Sequence, residues 1–107
     1  MEKKLPGAYR RFAADQPRIA SAYETLSDAT LTEGPLDRRT AELVKIGIAS
    51  GARLEGGVHS HVRRALEAGA TPDQIRHAIR LALTTLGFPT MMTTLSWAED
   101  ILSPGDR

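Results

Sequence analysis

Three histidines and a set of carboxylates carry the side-chain acid/base chemistry open to this chain, because it contains no cysteine. That absence removes disulfides, thiolate metal ligands and thiol catalysis together. His59 and His61 lie two positions apart, so on a helix they point about 200° away from each other, and only one can face a core. His61 shares the apolar stripe of Val58, Val62, Ala65 and Leu66. On that stripe it is either a core imidazole hydrogen-bonded to backbone, or a general acid or base held in a dry pocket. Glu42 allows two readings as well. It can join Arg38, Arg39 and Lys45 in an exposed ion-pair set. Alternatively it points inward with Ile46 and Ala49, where a carboxylate becomes the natural orienting partner of His61.

The remaining candidates are weaker. Glu55 and His59 are four apart and could chelate a metal if a helix began at Glu55, but Gly56-Gly57 argue against that start, so neither metal nor cofactor is expected. The same two glycines, placed just before a helix, would leave backbone N–H groups open to an anion beside His61, or simply form a flexible helix entry. Arg63 and Arg64 are either solvated or, for Arg63, available to a substrate carboxylate. His77, four residues after Asp73, reads as a solvated surface histidine.

Positioning these residues falls to helices. Apolar residues recur at helical spacing and nowhere alternate long enough for a half-buried strand, which makes the chain all-α. At 107 residues, with 41% hydrophobic and 25% charged, it is expected to form one domain of about six helices. The first covers Gly7 to Ala14 and the second Gln16 to Ala29, with Ile19, Ala22, Tyr23 and Leu26 on one stripe and Asp15 and Pro17 at its start. After Gly34-Pro35 a third runs from about Leu36 to Ser50. Gly51 is its expected left-handed stop, and Leu43 to Ala49 should make it the most buried helix. A loop from Arg53 to Gly57 leads into a fourth that ends at Gly69. The fifth starts on a Thr71, Pro72 and Gln74 capping pattern and carries Ile75, Ala78, Ile79, Ala82, Leu83 and Leu86, leaving Arg76, His77 and Arg80 for the polar side. Gly87-Phe88-Pro89 turns the chain into a sixth helix, Thr90 to Leu102, and residues 103–107 form a loose tail.

Charge excludes further classes. Fourteen Lys and Arg against thirteen Asp and Glu give a formal +1, with no basic stripe and no aromatic platform for nucleic acid. The uncharged stretch from Leu81 to Ala98 is interrupted by Gly87 and Pro89, so it reads as two helices around a turn and not as a membrane span. Met1-Glu2-Lys3-Lys4 followed by Leu5-Pro6-Gly7 has no apolar leader, and the cytoplasm is the expected compartment. Alanine-rich faces and a small core favour further burial between subunits, so a homo-oligomer is expected.

Three segments are familiar as a set. Leu36-Asp37-Arg38-Arg39-Thr40-Ala41-Glu42-Leu43, the run from His61 to Thr71 with Ile75, and Gly87-Phe88-Pro89 resemble the carboxymuconolactone decarboxylase family, with its alkylhydroperoxidase D-like members the nearest comparison. The resemblance covers roughly residues 16 to 102. It implies an all-helical bundle whose subunits associate as trimers or hexamers. In the thiol members a glutamate, a Cys-x-x-Cys pair and a histidine form a proton relay for peroxide reduction. Glu42 and His61 stand at the glutamate and histidine positions, whereas Leu54 and Gly57 stand where the cysteines would be.

Thiol peroxidase activity is therefore not expected, even though it is a label of the family. The expected function is a cysteine-independent, decarboxylase-like acid/base reaction on a small carboxylated lactone or related acid. His61 would move the proton, Glu42 would orient it, and Gly56, Gly57 and Arg63 would bind the substrate. The alternative is a catalytically degenerate, oligomeric binding or scaffold protein of the same family.

Overall fold

The computed structural model describes residues 7–106, and its contacts divide the chain into two compact units, Met1–Pro35 and Leu36–Arg107. Met1 to Pro6, where the sequence reading finds no leader, and Arg107 of the tail lie outside the described residues. Among the described residues every regular element is helical.

The first unit is a helix pair, α1 (Gly7–Asp15) and α2 (Pro17–Thr32), joined by a single residue. Gln16 is the N-cap of α2 and Pro17 its first helical residue, so Asp15 closes α1 and does not open α2 as expected. Tyr9 donates a hydrogen bond to the Glu24 carboxylate across the pair. α2 runs three residues past the expected Ala29. Its stripe is also not a core: Ile19, Tyr23 and Leu26 are exposed, whereas Ala20 and Leu31 are buried.

The second unit packs α3 (Arg38–Gly51), α4 (Glu55–Glu67), α5 (Pro72–Arg80) and α6 (Phe88–Leu102) around Ile46, Val58, Val62, Ile75, Ile79 and Ala98. α3 begins at Arg38 because Asp37 caps it, accepting a 2.7 Å hydrogen bond from the Thr40 N–H. As expected, α3 has more buried residues than any other helix among the described residues, although only one of its faces is covered: Val44 and Ile48 are exposed while Ile46 and Ala49 are buried.

The end of α3 corrects a second expectation. Gly51 is still helical, and the left-handed residue is Arg53, at φ 56°. The Leu54 N–H bonds the Ala49 carbonyl at 2.9 Å and the Arg53 N–H bonds that of Ser50 at 3.1 Å, the two bonds of a Schellman stop. α4 ends in the same way on Gly69, φ 99°, as the sequence predicts.

α5 opens with the predicted capping box between Thr71 and Gln74. Its regular α geometry ceases at Arg80 and tightens into a 3₁₀ turn, Leu81–Thr84, so Leu83 and Leu86 leave the helical stripe and are exposed. Arg76, expected on the polar side, instead makes a two-pronged contact with Glu99 of α6, at 2.8 and 3.1 Å, and also reaches Ser103. The buried hydroxyls of Ser50 and Thr94 meet at 2.7 Å and tie α3 to α6. Pro104–Asp106 form a short 3₁₀ turn in part of the stretch read as a loose tail.

Candidate functional site

The helical period places Glu42, Ile46, Ala49 and Ser50 on one stripe of α3, and all four are buried. The second reading of Glu42 therefore holds geometrically, because its side chain is 1% exposed. On α4, Val58, His61, Val62 and Ala65 form the facing stripe. Where the two stripes meet, His61 Nδ1 lies 2.8 Å from Glu42 Oε1.

That bond fixes the imidazole's orientation. With the carboxylate as acceptor, Nδ1–H is the donor and Nε2 becomes the nitrogen left to exchange a proton with another group. The His61 side chain is 19% exposed, so the ring bridges an enclosed carboxylate and a more accessible edge. The second carboxylate oxygen, Oε2, is buried with no protein partner. A buried carboxylate oxygen held without a donor is costly in a purely structural role.

α4 starts at Glu55, three residues earlier than the loop expectation allows. The Val58 N–H closes its first turn on the Leu54 carbonyl at 2.9 Å, and Glu55 places a negative charge in that turn, where the helix dipole favours it. Gly56 and Gly57 consequently lie within the first turn and not before it. The two differ. A Cβ on Gly56 would meet open space, whereas one on Gly57 would stand 3.2 Å from the Ala49 Cβ and 3.3 Å from that of Leu54. Gly57 is thus required by the close approach of α4 to α3. Gly56 is exposed, and its N–H belongs to the helix-terminal donors that lack an intrahelical acceptor.

Arg63 is half-buried, and standing two positions after His61 it leaves α4 about 200° away from that ring, so the expected substrate arginine lies on a different face of the helix from the Glu42 and His61 pair. His77 is exposed, as predicted. The geometry missing from the sequence reading is on the other side of α4. His59 is half-buried too, and its Nε2 lies 3.0 Å from Asp100 Oδ2 on α6. Glu55 joins them: one ligand atom from each of Glu55, His59 and Asp100 lies within 4.8 Å of the others. The sequence signal for this cluster is the Glu55 to His59 spacing, which stacks the two side chains only because α4 begins at Glu55, ahead of the glycines.

A model of the carboxymuconolactone decarboxylase family matches residues 17–100, a span that includes Glu42, His61 and all of α2 to α5. The chain belongs to that family. A solved apo structure of a family protein from Legionella pneumophila superimposes with a TM-score of 0.76, covering 94% of this chain and 88% of the other at 18% identity, which establishes the shared fold. An uncharacterized protein of the cox locus of Paracoccus denitrificans is 34% identical over 64 residues, 60% of this chain and 58% of the relative, so the match spans less than two thirds of that relative's length. An uncharacterized protein of Methanocaldococcus jannaschii is 27% identical over 86 residues, 79% of this chain and 83% of its own.

In this carboxymuconolactone decarboxylase family member, the positions likened to the cysteines of the thiol relatives do structural work. Leu54 is the N-cap of α4 and Gly57 is the contact with Ala49. No helix is long and apolar enough to cross a membrane among the described residues.

Proposed function

We propose that the protein is a cysteine-independent acid/base enzyme acting on a small carboxylated lactone or related acid. The observation that supports this most is the 2.8 Å bond between His61 and a Glu42 carboxylate that is 1% exposed. Loss of carbon dioxide from such a substrate breaks the bond to the carboxyl carbon and leaves its electron pair delocalised into the lactone as an enolate. His61 Nε2–H delivers a proton to carbon, which completes the enol-lactone, and Glu42 holds the ring and stabilises the imidazolium before transfer. The first-turn N–H groups at Gly56 and Gly57, one turn before His61 on its own face of α4, receive the anionic charge of the substrate.

A positioned proton donor contributes roughly 10²- to 10⁴-fold. His61→Ala is therefore expected to lower turnover of a carboxymuconolactone-type acid by about that factor, with far-ultraviolet circular dichroism unchanged. Turnover that survives His61→Ala in a folded protein rejects this reading.

A second reading, an oligomeric binding or scaffold protein without turnover, draws on a separate observation. Around the corner between α5 and α6, Leu81 is 63% and Phe88 59% exposed, with Leu83 and Leu86 beside them. Apolar side chains concentrated in one short stretch suit burial against another copy. Both readings include a homo-oligomer, trimer or hexamer, and a monomeric mass by light scattering at micromolar concentration rejects that component.

A further inference from the structure

We propose that Glu55, His59 and Asp100 form a binding site for a divalent first-row transition cation, on the side of α4 facing α6. The imidazole Nε2 and one oxygen from each carboxylate are the protein ligands.

Three features of the cluster carry this assignment. Its donors come from two helices: Glu55 and His59 stand one turn apart on α4, and Asp100 sits on α6. Such i, i+4 spacing stacks two side chains on one helix face. Secondly, the separations suit a coordination sphere. A cation about 2.0–2.2 Å from each of two neighbouring donors holds those donors roughly 3.0–3.5 Å apart, and His59 Nε2 and Asp100 Oδ2 are already at 3.0 Å. The three ligand atoms fall within 4.8 Å of one another, and Glu55, which is exposed, has the freedom to close the remaining gap.

The third feature is donor chemistry. One imidazole with two carboxylates suits Zn²⁺, Co²⁺, Mn²⁺ or Fe²⁺ better than the all-oxygen preference of Mg²⁺ and Ca²⁺, and without thiolate or thioether the cluster does not favour Cu⁺. Three protein ligands leave further positions to water, as in open metal sites. A bound cation would bridge α4 and α6 and also neutralise the paired carboxylates. The site is independent of the Glu42 and His61 pair, because the two histidines point to opposite sides of α4.

The probe is Zn²⁺ added to the untagged full chain, followed by calorimetry, with Co²⁺ absorption as a report on coordination. One equivalent of Zn²⁺ is expected to bind with a Kd on the order of micromolar, to raise the thermal midpoint, and to be reversed by a chelator. Co²⁺ should develop a visible band more intense than that of the aqueous ion. His59→Ala and Asp100→Asn should each weaken Zn²⁺ binding at least about tenfold, whereas His77→Ala and His61→Ala leave it unchanged. Asp100→Asn is close to isosteric, so the test stands even if His59→Ala unfolds. The proposal is overturned by no binding at about a hundredfold above that Kd, by equal affinity in Asp100→Asn, or by loss of affinity in His77→Ala or His61→Ala.

Discussion

Glu42 on α3 and His61 on α4 are joined by a 2.8 Å bond, although the carboxylate is sealed from solvent and its second oxygen has no protein partner. A pair kept for stability alone would be expected to satisfy both oxygens. Replacing Glu42 by Met, of similar volume, removes the buried oxygen that lacks a donor but leaves the His61 Nδ1–H unpaired at the enclosed end of the ring, so stability should fall by no more than the cost of one unsatisfied donor, about 1–3 kcal/mol. Turnover should fall together with that of His61→Ala, and the double variant should be no worse than either single, as for residues acting as a unit. A loss of more than about 3 kcal/mol of stability in Glu42→Met, with turnover unchanged, would make the pair structural.

Helix stops provide a prediction of opposite signs. Gly69 occupies φ 99° with open space around its missing Cβ, so Gly69→Ala should cost about 1 kcal/mol through backbone strain alone. Arg53 stands in the same left-handed region at φ 56°. Arg53→Gly relieves that strain and forfeits an exposed 2.9 Å bond to Thr90 Oγ1. The expected net effect is a gain of up to about 1 kcal/mol, read from urea midpoints at constant slope.

The pair also shows what the sequence made legible. Helical period alone put Glu42 with Ile46 and Ala49, and His61 with Val62 and Ala65, and a stripe that holds a polar residue must bury it if the stripe is buried. Periodicity could not decide between burial and an ion pair with Arg38 or Arg39, because that depends on which helix covers α3. Boundaries were harder for the same reason. Gly51 has the residue type of a stop, yet α3 continues to Gly51 and turns at Arg53, where two backbone bonds from Arg53 and Leu54 close the helix end. The contact of Gly57 with Ala49 lies between residues on two helices, and only their approach distance explains a glycine inside α4. Asp100 as the partner of His59 was likewise invisible, being 41 positions away.

Acid should weaken the second unit through two carboxylates. The Arg76 guanidinium, bonding Glu99, holds that carboxyl below the ordinary 4.5 of a glutamate, with Ser103 assisting. The Thr40 backbone N–H, followed by its side chain, holds Asp37 below the ordinary 3.8 of an aspartate. Both groups have depressed values in the folded state, so each contributes stability that is complete above its ordinary value and is lost as pH falls through the lowered one. The thermal midpoint should accordingly decline below about pH 4.5. In Glu99→Gln it should start lower at neutral pH and decline less steeply. An acid slope unchanged in Glu99→Gln would show that Arg76 does not hold this charge in solution.

The two adjacent glycines of α4 offer the sharpest contrast, since their helical propensity is shared and their surroundings are not. Alanine in place of glycine in a helix interior gains up to about 1 kcal/mol, with less in the first turn. At Gly56 nothing opposes that gain. At Gly57 the new methyl would sit 3.2 Å from the Ala49 Cβ, which is attached directly to the α3 backbone and cannot rotate aside. Gly56→Ala should thus stabilise the protein, and Gly57→Ala should be less stable than Gly56→Ala by at least about 1 kcal/mol. Combining Gly57→Ala with Ala49→Gly should recover part of the difference, because it removes the opposing methyl. Equal midpoints for Gly56→Ala and Gly57→Ala would mean that α3 and α4 can separate at no cost, and that the approach of the two helices does not fix the distance between Glu42 and His61.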